Sequence, residues 1–484
     1  MKQENLTKQT LFGFFWLAFG KAGKAILQLL ILGILARLLG PTEFGLITLA
    51  LIVTSFSDIF TDLGFGPAII QKRELNDSDI YTSFTFSVIF GVILLFVVWI
   101  FAPFIASFFR NDGLTPILRA ISPVLFLSSI GSTPQGLLYR NMKYKESSML
   151  QIISYSIGYG LVGIIFAYAG YGVWALVFAV LGQSILSTIL YFYYSKQAIR
   201  FAFDKKSFKE LLHFGSGYSL SKIFTHLGNK GEKIVVGRVL GVDSLGLYER
   251  GFTIVKFIAG LVGEIIDQVL FAPIAKKQDE RELVGKIFLE LTYITCTLLM
   301  PASVFIYCNA DSIVKILLGD KWGETVTIVQ IMAISLFFLV CTRIGSTVAK
   351  SLGDVMNRAV RTFIYSVVVI VGAYAGSKWG INGVATAVTG AIILNYILAF
   401  SQTNKLTGVG IFHFIESHLL GIGLSAIYMV IYYPLKGILF NQIESSLIQL
   451  ILGCALMAIV YLCGYFFDYK GVTKKYFKLI FKRK

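Results

Sequence analysis

Three observations predict an all-α protein that crosses a membrane many times. Apolar runs of about 20 residues recur along the whole chain, hydrophobic residues make up 56% against 14% charged, and the mean hydropathy is +0.74. Such a composition lies outside the range of soluble globules. A transmembrane barrel would show short alternating segments instead. In lipid each backbone polar group must be satisfied within its own segment, so apolar runs of this length form helices.

Bounding the runs by charge and turn clusters gives fourteen spans. The first six lie at 11–36, 44–69, 82–108, 114–139, 149–168 and 172–194. The next six lie at 211–237, 246–271, 284–307, 327–350, 359–376 and 381–402. Two more follow at 416–433 and 446–467. Glycines near span ends and Pro67, Pro103, Pro134, Pro273 and Pro301 are read as packing and kink positions.

Lysine and arginine fix the expected orientation, because they accumulate in short cytoplasmic segments. With the N-terminus inside, 27 of the 43 basic residues fall on the cytoplasmic side and eight in outer loops. Both termini are then cytoplasmic, and the basic tail KGVTKKYFKLIFKRK is expected to lie on the anionic inner leaflet. The net charge of +16 is thereby accounted for without nucleic acid. The remaining eight cations, Lys21, Lys24, Lys222, Lys230, Lys233, Arg250, Lys256 and Arg343, sit inside spans. A bare charge there is expensive and needs a reason.

The chain repeats itself. ARLLGPTEFGL (Ala36–Leu46) aligns with GRVLGVDSLGL (Gly237–Leu247) at an offset of 201, and the same offset superposes Lys21 on Lys222. IGST recurs at Ile130 and Ile344, and GYGVWA at Gly170 is matched by INGVAT at Ile381. Each copy holds six spans, an even number, so the copies are expected to be parallel and related by a pseudo-twofold axis along the membrane normal. The expected organisation is a six-helix bundle at 1–200, a second at 201–405, two further spans in 406–469 and a cytoplasmic tail at 470–484.

Lys21 and Lys222 each lie ten residues into their spans, roughly 15 Å from the cytoplasmic end at 1.5 Å per residue. Lys222, His226, Asn229 and Lys233 share one helical stripe with Lys230 beside it, and Lys21, Lys24 and Gln28 form the counterpart. Two readings stand. The cations neutralise buried acids or snorkel to headgroups, or they surround an anionic cargo such as a diphosphate, which low dielectric would hold strongly. Asp58, Asp62, Glu264 and Asp267 lie in the cytoplasmic halves of the second and eighth spans, whereas Arg250 and Lys256 lie on the outer side of centre. The four acids are candidates for a coupling site or a gate, and equally for helix-interface contacts. No metal site or disulfide framework is indicated by Cys296, Cys308, Cys341, Cys454 and Cys463 or by the four histidines, and no nucleotide-binding fingerprint is present.

At RLLGPTEFGLITLA (Arg37–Ala50) and DLGFGPAIIQKRE (Asp62–Glu74) the sequence resembles the polysaccharide transporter branch of the multidrug/oligosaccharidyl-lipid/polysaccharide (MOP) flippase superfamily. The resemblance implies a multi-pass protein of the bacterial cytoplasmic (inner) membrane, a transporter and not an enzyme. Its cargo would be an undecaprenyl-diphosphate-linked oligosaccharide for O-antigen, capsule or exopolysaccharide synthesis, moved to the outer leaflet by alternating access. It also implies a basic central cavity, matched in position and type by Lys21, Lys24, Lys222, Lys230, Lys233 and Arg343. No cofactor is expected, with proton or Na⁺ coupling left open, and the partners expected are the lipid-linked glycan, membrane lipids and polymerase machinery. A lipid II flippase is the alternative within transport. A cation-coupled multidrug exporter fits poorly with a positive cavity.

Overall fold

The structure is a computed structural model describing residues 23–62, 69–70, 72, 74–197, 199–439, 443–466, 468 and 471. The side chains of 57–62, 210–225, 227, 264–265, 268–269, 271–273 and 276 also lie outside the description. The regular structure of the described residues is helical, with no strand among them. Two compact units divide it, Met1–Gly246 and Leu247–Lys484.

The first unit contains α1 (23–38), α2 (Pro41–Asp62), α3 (Asp77–Phe108), α4 (Leu114–Ile121), α5 (Pro123–Arg140), α6 (Tyr144–Tyr168), α7 (Val173–Ser195) and α8 (Lys205–Val239). Residues Ser154–Leu161 of α6 form a wide π-type turn. Small residues set its packing: Gly158 sits so close to Gln183 of α7 that a Cβ would lie 2.5 Å from the Gln183 Cα. Hydroxyls serve the same bundle, Ser83 and Thr133 meeting at 3.1 Å between α3 and α5. They replace water as partners in a dry interior.

Charge is confined to helix ends in this unit outside α1, α2 and α8. The start of α3 is fixed by Asp79, which accepts from the Asn76 amide at 3.1 Å and from the Lys72 ammonium at 2.7 Å. Arg140, at the end of α5, donates to the carbonyls of Ile69 and Lys72 at 2.6 and 2.5 Å and so holds the same segment. Replacing Asp79 with Asn removes a charged acceptor, worth about 2 kcal/mol. The thermal midpoint of purified Asp79→Asn should fall accordingly, whereas an unchanged midpoint would remove Asp79 from the framework. Asp204 caps α8 by accepting from the Ser207 amide at 2.8 Å, which draws its carboxyl below the usual carboxylate range. The contribution of that cap is present above the ordinary carboxylate pKa and is lost as pH falls through the depressed value.

Helix α9 (Val242–Lys276) begins in the first unit and continues into the second. At its start the repeat becomes physical. A Cβ on Gly45 of α2 would lie 2.0 Å from the Val242 carbonyl oxygen, and one on Gly246 would lie 1.9 Å from the Pro41 carbonyl oxygen. Between these crossings the Thr42 hydroxyl donates to the Asp243 carboxylate at 2.5 Å. Pro41 and Val242, Thr42 and Asp243, and Gly45 and Gly246 are each separated by the repeat offset of 201. The crossing of α2 with the start of α9 is therefore built from equivalent residues on both sides.

The second unit continues with α10 (Arg281–Cys308), α11 (Ala310–Leu317), α12 (Thr325–Ser351), α13 (Val355–Gly376), α14 (Gly380–Thr407), α15 (Ile411–Ile438) and α16 (Ser446–Phe466). Helix α15 packs along α10, where Gly421 approaches the Cys296 carbonyl, and α16 closes over both. Tyr428 and Tyr432 of α15 anchor this packing: the Asn309 amide donates to the Tyr428 hydroxyl at 3.1 Å, and Tyr432 donates to the Cys308 carbonyl at 2.9 Å. An apolar groove of about 460 Å³ runs between α10, α12 and α15, with Met300, Tyr307, Phe338, Ile422 and Met429 in its walls.

Among the described residues nine segments are long and apolar enough to cross a membrane. They coincide with the third to sixth and ninth to fourteenth predicted spans, Val355–Thr407 being the pair α13 and α14. Helices α1, α2, α8 and α9 occupy the positions of the first, second, seventh and eighth, and among the described residues they carry the charges singled out by the sequence except Arg343, which is on α12.

Candidate cationic binding site

The site is built first on α8, the helix whose basic stripe interrupts an otherwise apolar unit. His226 and Lys230, one turn apart, share a face and are both half-buried. They border a groove of about 540 Å³ whose other walls are Ile52, Val53 and Phe56 of α2 and Val97, Phe101 and Ile105 of α3. The His226 Nε2 lies 3.3 Å from the Ser55 hydroxyl, and its ring centroid lies 6.2 Å from that of Phe56. Walls this apolar contribute little field of their own and leave cationic groups as its chief source.

The rest of the stripe divides. Lys233 turns inward and is only 3% exposed, next to Glu232 at 2%, so it belongs to the interior of the unit. Asn229 is exposed. On α1, Lys24 is half-buried and Gln28 exposed. Lys21 lies outside the described residues, as do the side chains of Lys222, Asp58, Asp62 and Glu264 and the tail at 472–484.

In the second unit the arrangement is different. Arg343 of α12 reaches Asp267 of α9, with Nη1 and Oδ2 3.8 Å apart, and the Thr347 hydroxyl donates to the other carboxylate oxygen at 2.5 Å. Gly263 makes this possible: a Cβ there would lie 2.4 Å from the Arg343 Cδ, so the guanidinium stem occupies the space a side chain would fill. Both partners are partly exposed, and an ion pair so placed contributes little to stability, about 0–1 kcal/mol. The Lys256 ammonium sits 4.2 Å from the Phe252 ring centroid, a cation–π contact one turn apart. Arg250 is half-buried.

The structure thus brings together His226 with Lys230, and Arg343 with Asp267. Periodicity missed Ser55 and Phe56 as partners of the first pair, because a stripe identifies a face and not its neighbour. The Thr42–Asp243 contact joins two positions that coincide in the repeat, although equivalence alone does not place residues in contact.

Residues 34–327 match the polysaccharide biosynthesis protein family. The teichuronic acid biosynthesis protein TuaB of Bacillus subtilis is 25% identical over 331 residues, 68% of this chain and 68% of that one. The lipopolysaccharide biosynthesis protein WzxC of Escherichia coli is 23% identical over 446 residues, covering 91% of this chain and 90% of its own. Among solved structures, the lipid II flippase MurJ in an inward closed conformation matches with a TM-score of 0.77 at 15% identity, over 94% of this chain and 99% of that one. At that identity the likeness is one of fold.

Proposed function

Because the chain belongs to the polysaccharide biosynthesis protein family, in the polysaccharide transporter branch of the MOP superfamily, we propose that it flips a polyprenyl-diphosphate-linked oligosaccharide across the membrane. The chain is a multi-pass membrane transporter of the polysaccharide biosynthesis type. Cargo moves from the cytoplasmic to the outer leaflet of the cytoplasmic membrane by alternating access, and feeds the synthesis of a surface polymer. Both termini face the cytoplasm, as the positive-inside rule requires of fourteen spans.

The observation that carries this reading is the setting of His226 and Lys230 on the apolar groove of the first unit. A cargo with a long hydrocarbon chain and a diphosphate needs both an apolar wall and fixed positive charge, and lysine supplies the latter as a point charge. Lys21, Lys24 and Lys222 are the further cations proposed to act on cargo in the first unit, and Arg250, Lys256 and Arg343 are those proposed within the second. Gln28 and Asn229 offer hydrogen bonds to sugars. Asp267, held by Thr347 and Arg343, is the described member of the acidic set assigned to coupling or gating, with Asp58, Asp62 and Glu264.

Reconstitution into liposomes tests the proposal. Labelled polyprenyl-diphosphate oligosaccharide placed in one leaflet should reach the other much faster than in protein-free vesicles, with or without a proton or Na⁺ gradient revealing the coupling ion. No acceleration would overturn the flippase reading. Movement of lipid II in preference to the oligosaccharide would overturn the cargo.

A further inference from the structure

A second basic site lies well away from this stripe, where α13 and α14 meet beneath the turn that joins α12 to α13. Its centre is Arg361, only 6% exposed. One guanidinium nitrogen, Nη2, donates to the Ser346 hydroxyl of α12 at 2.5 Å, while Nε and Nη1 are buried with no hydrogen-bond partner. Burying a guanidinium with two of its three nitrogens unmet is costly, and the cost is relieved when an acceptor enters.

Space for that acceptor exists. Arg361 borders a cleft of about 290 Å³ together with Gln402 and Lys405 of α14 and Asp354 of the turn. The Asp354 carboxylate is already engaged, accepting from the amides of Asn357 at 2.7 Å and Gln402 at 2.8 Å. Arg358, one turn before Arg361, lies outside the cleft lining and has its Nε buried without a partner. Two cations, Arg361 and Lys405, therefore line the cleft with one carboxylate, and the cleft carries a positive excess.

Depth and walls identify the anion. Arg361 is six residues into α13, about 9 Å along the helix from its start, and Lys405 lies near the end of α14. That is the level where headgroups meet acyl chains. The outer wall consists of Val360 and Ile364, which are 51% and 42% exposed on the face of a membrane-crossing helix. A soluble anion gains nothing from that wall, whereas a phospholipid lays its chains along it.

We propose that this cleft binds the phosphodiester headgroup of an anionic membrane phospholipid, with the Arg361 guanidinium as the buried cationic anchor and Lys405 at the rim. A fixed guanidinium charge with unmet N–H donors suits a phosphate, and basic pockets between helices at this depth recognise anionic headgroups. The assignment concerns a resident lipid and stands apart from the transported cargo.

The test uses the purified full-length protein in detergent, with lipid retention read by native mass spectrometry and thermal midpoint read in parallel. Phosphatidylglycerol should be retained and should raise the midpoint by several degrees, with phosphatidylcholine and inorganic phosphate doing neither. Arg361→Gln should lose the retained lipid. Should that variant fail to fold, Lys405→Gln, at an exposed rim position, should bind phosphatidylglycerol roughly fivefold more weakly. Equal effects of phosphatidylcholine, an equal shift with inorganic phosphate, or wild-type retention by Lys405→Gln would each overturn the proposal.

Discussion

Gly246→Leu is expected to prevent the first unit from assembling, and Gly45→Leu to do the same. At Gly246 even a methyl group would meet the Pro41 carbonyl oxygen at 1.9 Å and the Gly45 amide nitrogen at 3.1 Å. At Gly45 it would meet the Val242 carbonyl oxygen at 2.0 Å. Both obstacles are backbone atoms at the starts of helices, so no rotamer change relieves them. Overpacking of a core by side-chain contact alone costs about 1–3 kcal/mol, and a clash with backbone exceeds that range. Since native stabilities are only about 5–15 kcal/mol, loss of most folded protein follows. The readout is the yield of monodisperse protein on size-exclusion chromatography. Thr42→Ala, which removes one hydrogen bond and leaves the crossing intact, should cost only about 1 kcal/mol and elute normally. A Gly246→Leu protein with normal yield and elution would mean that the two helix starts do not touch.

This pair of glycines also marks how far the sequence could be read. The helical, membrane-crossing class followed from run length and composition, because lipid leaves a chain few other ways to satisfy its backbone. The repeat at offset 201 identified equivalent positions, and the equivalent glycines meet each other's helix. What the repeat could not supply is which face of each helix turns toward which neighbour. The α8 stripe was legible as a stripe, yet Lys233 enters the interior while Asn229 points outward, because a 27-residue apolar span offers several candidate faces. The Arg343–Asp267 pair was hidden for a related reason: the two residues are far apart in sequence, and only the absence of a side chain at Gly263 lets the guanidinium lie there. Arg361 counted toward the cytoplasmic basic residues, as its place near a span end suggested, and a charge count is blind to burial. Its low exposure comes from Ser346 of α12, a neighbour that helical periodicity in α13 does not name.

Lys230→Glu is expected to abolish transport while leaving the protein in the membrane. The ammonium of Lys230 is half-buried against a groove that is otherwise apolar, so its substitution disturbs field more than packing. At an effective dielectric of about 20 and a separation of about 4 Å, one unit charge acting on a phosphate contributes about 4 kcal/mol. Removing it by Lys230→Gln should weaken cargo binding by roughly a thousandfold at most. Reversing it replaces attraction by repulsion of similar size, and Lys230→Glu should fall below Lys230→Gln in any assay of transport. His226→Ala should have a smaller effect, since the imidazole beside the Ser55 hydroxyl offers a hydrogen-bonding group where Lys230 offers a full charge. The order Glu below Gln below wild type at position 230 is the signature of electrostatics. A purely structural lysine would show Gln and Glu alike, with membrane abundance falling in parallel. Complementation of surface polymer production, read against the amount of each variant in the membrane fraction, separates the two. Normal export by Lys230→Glu would remove the groove of the first unit from the cargo path. It would leave the phospholipid cleft at Arg361 untouched, because the two sites share no residue.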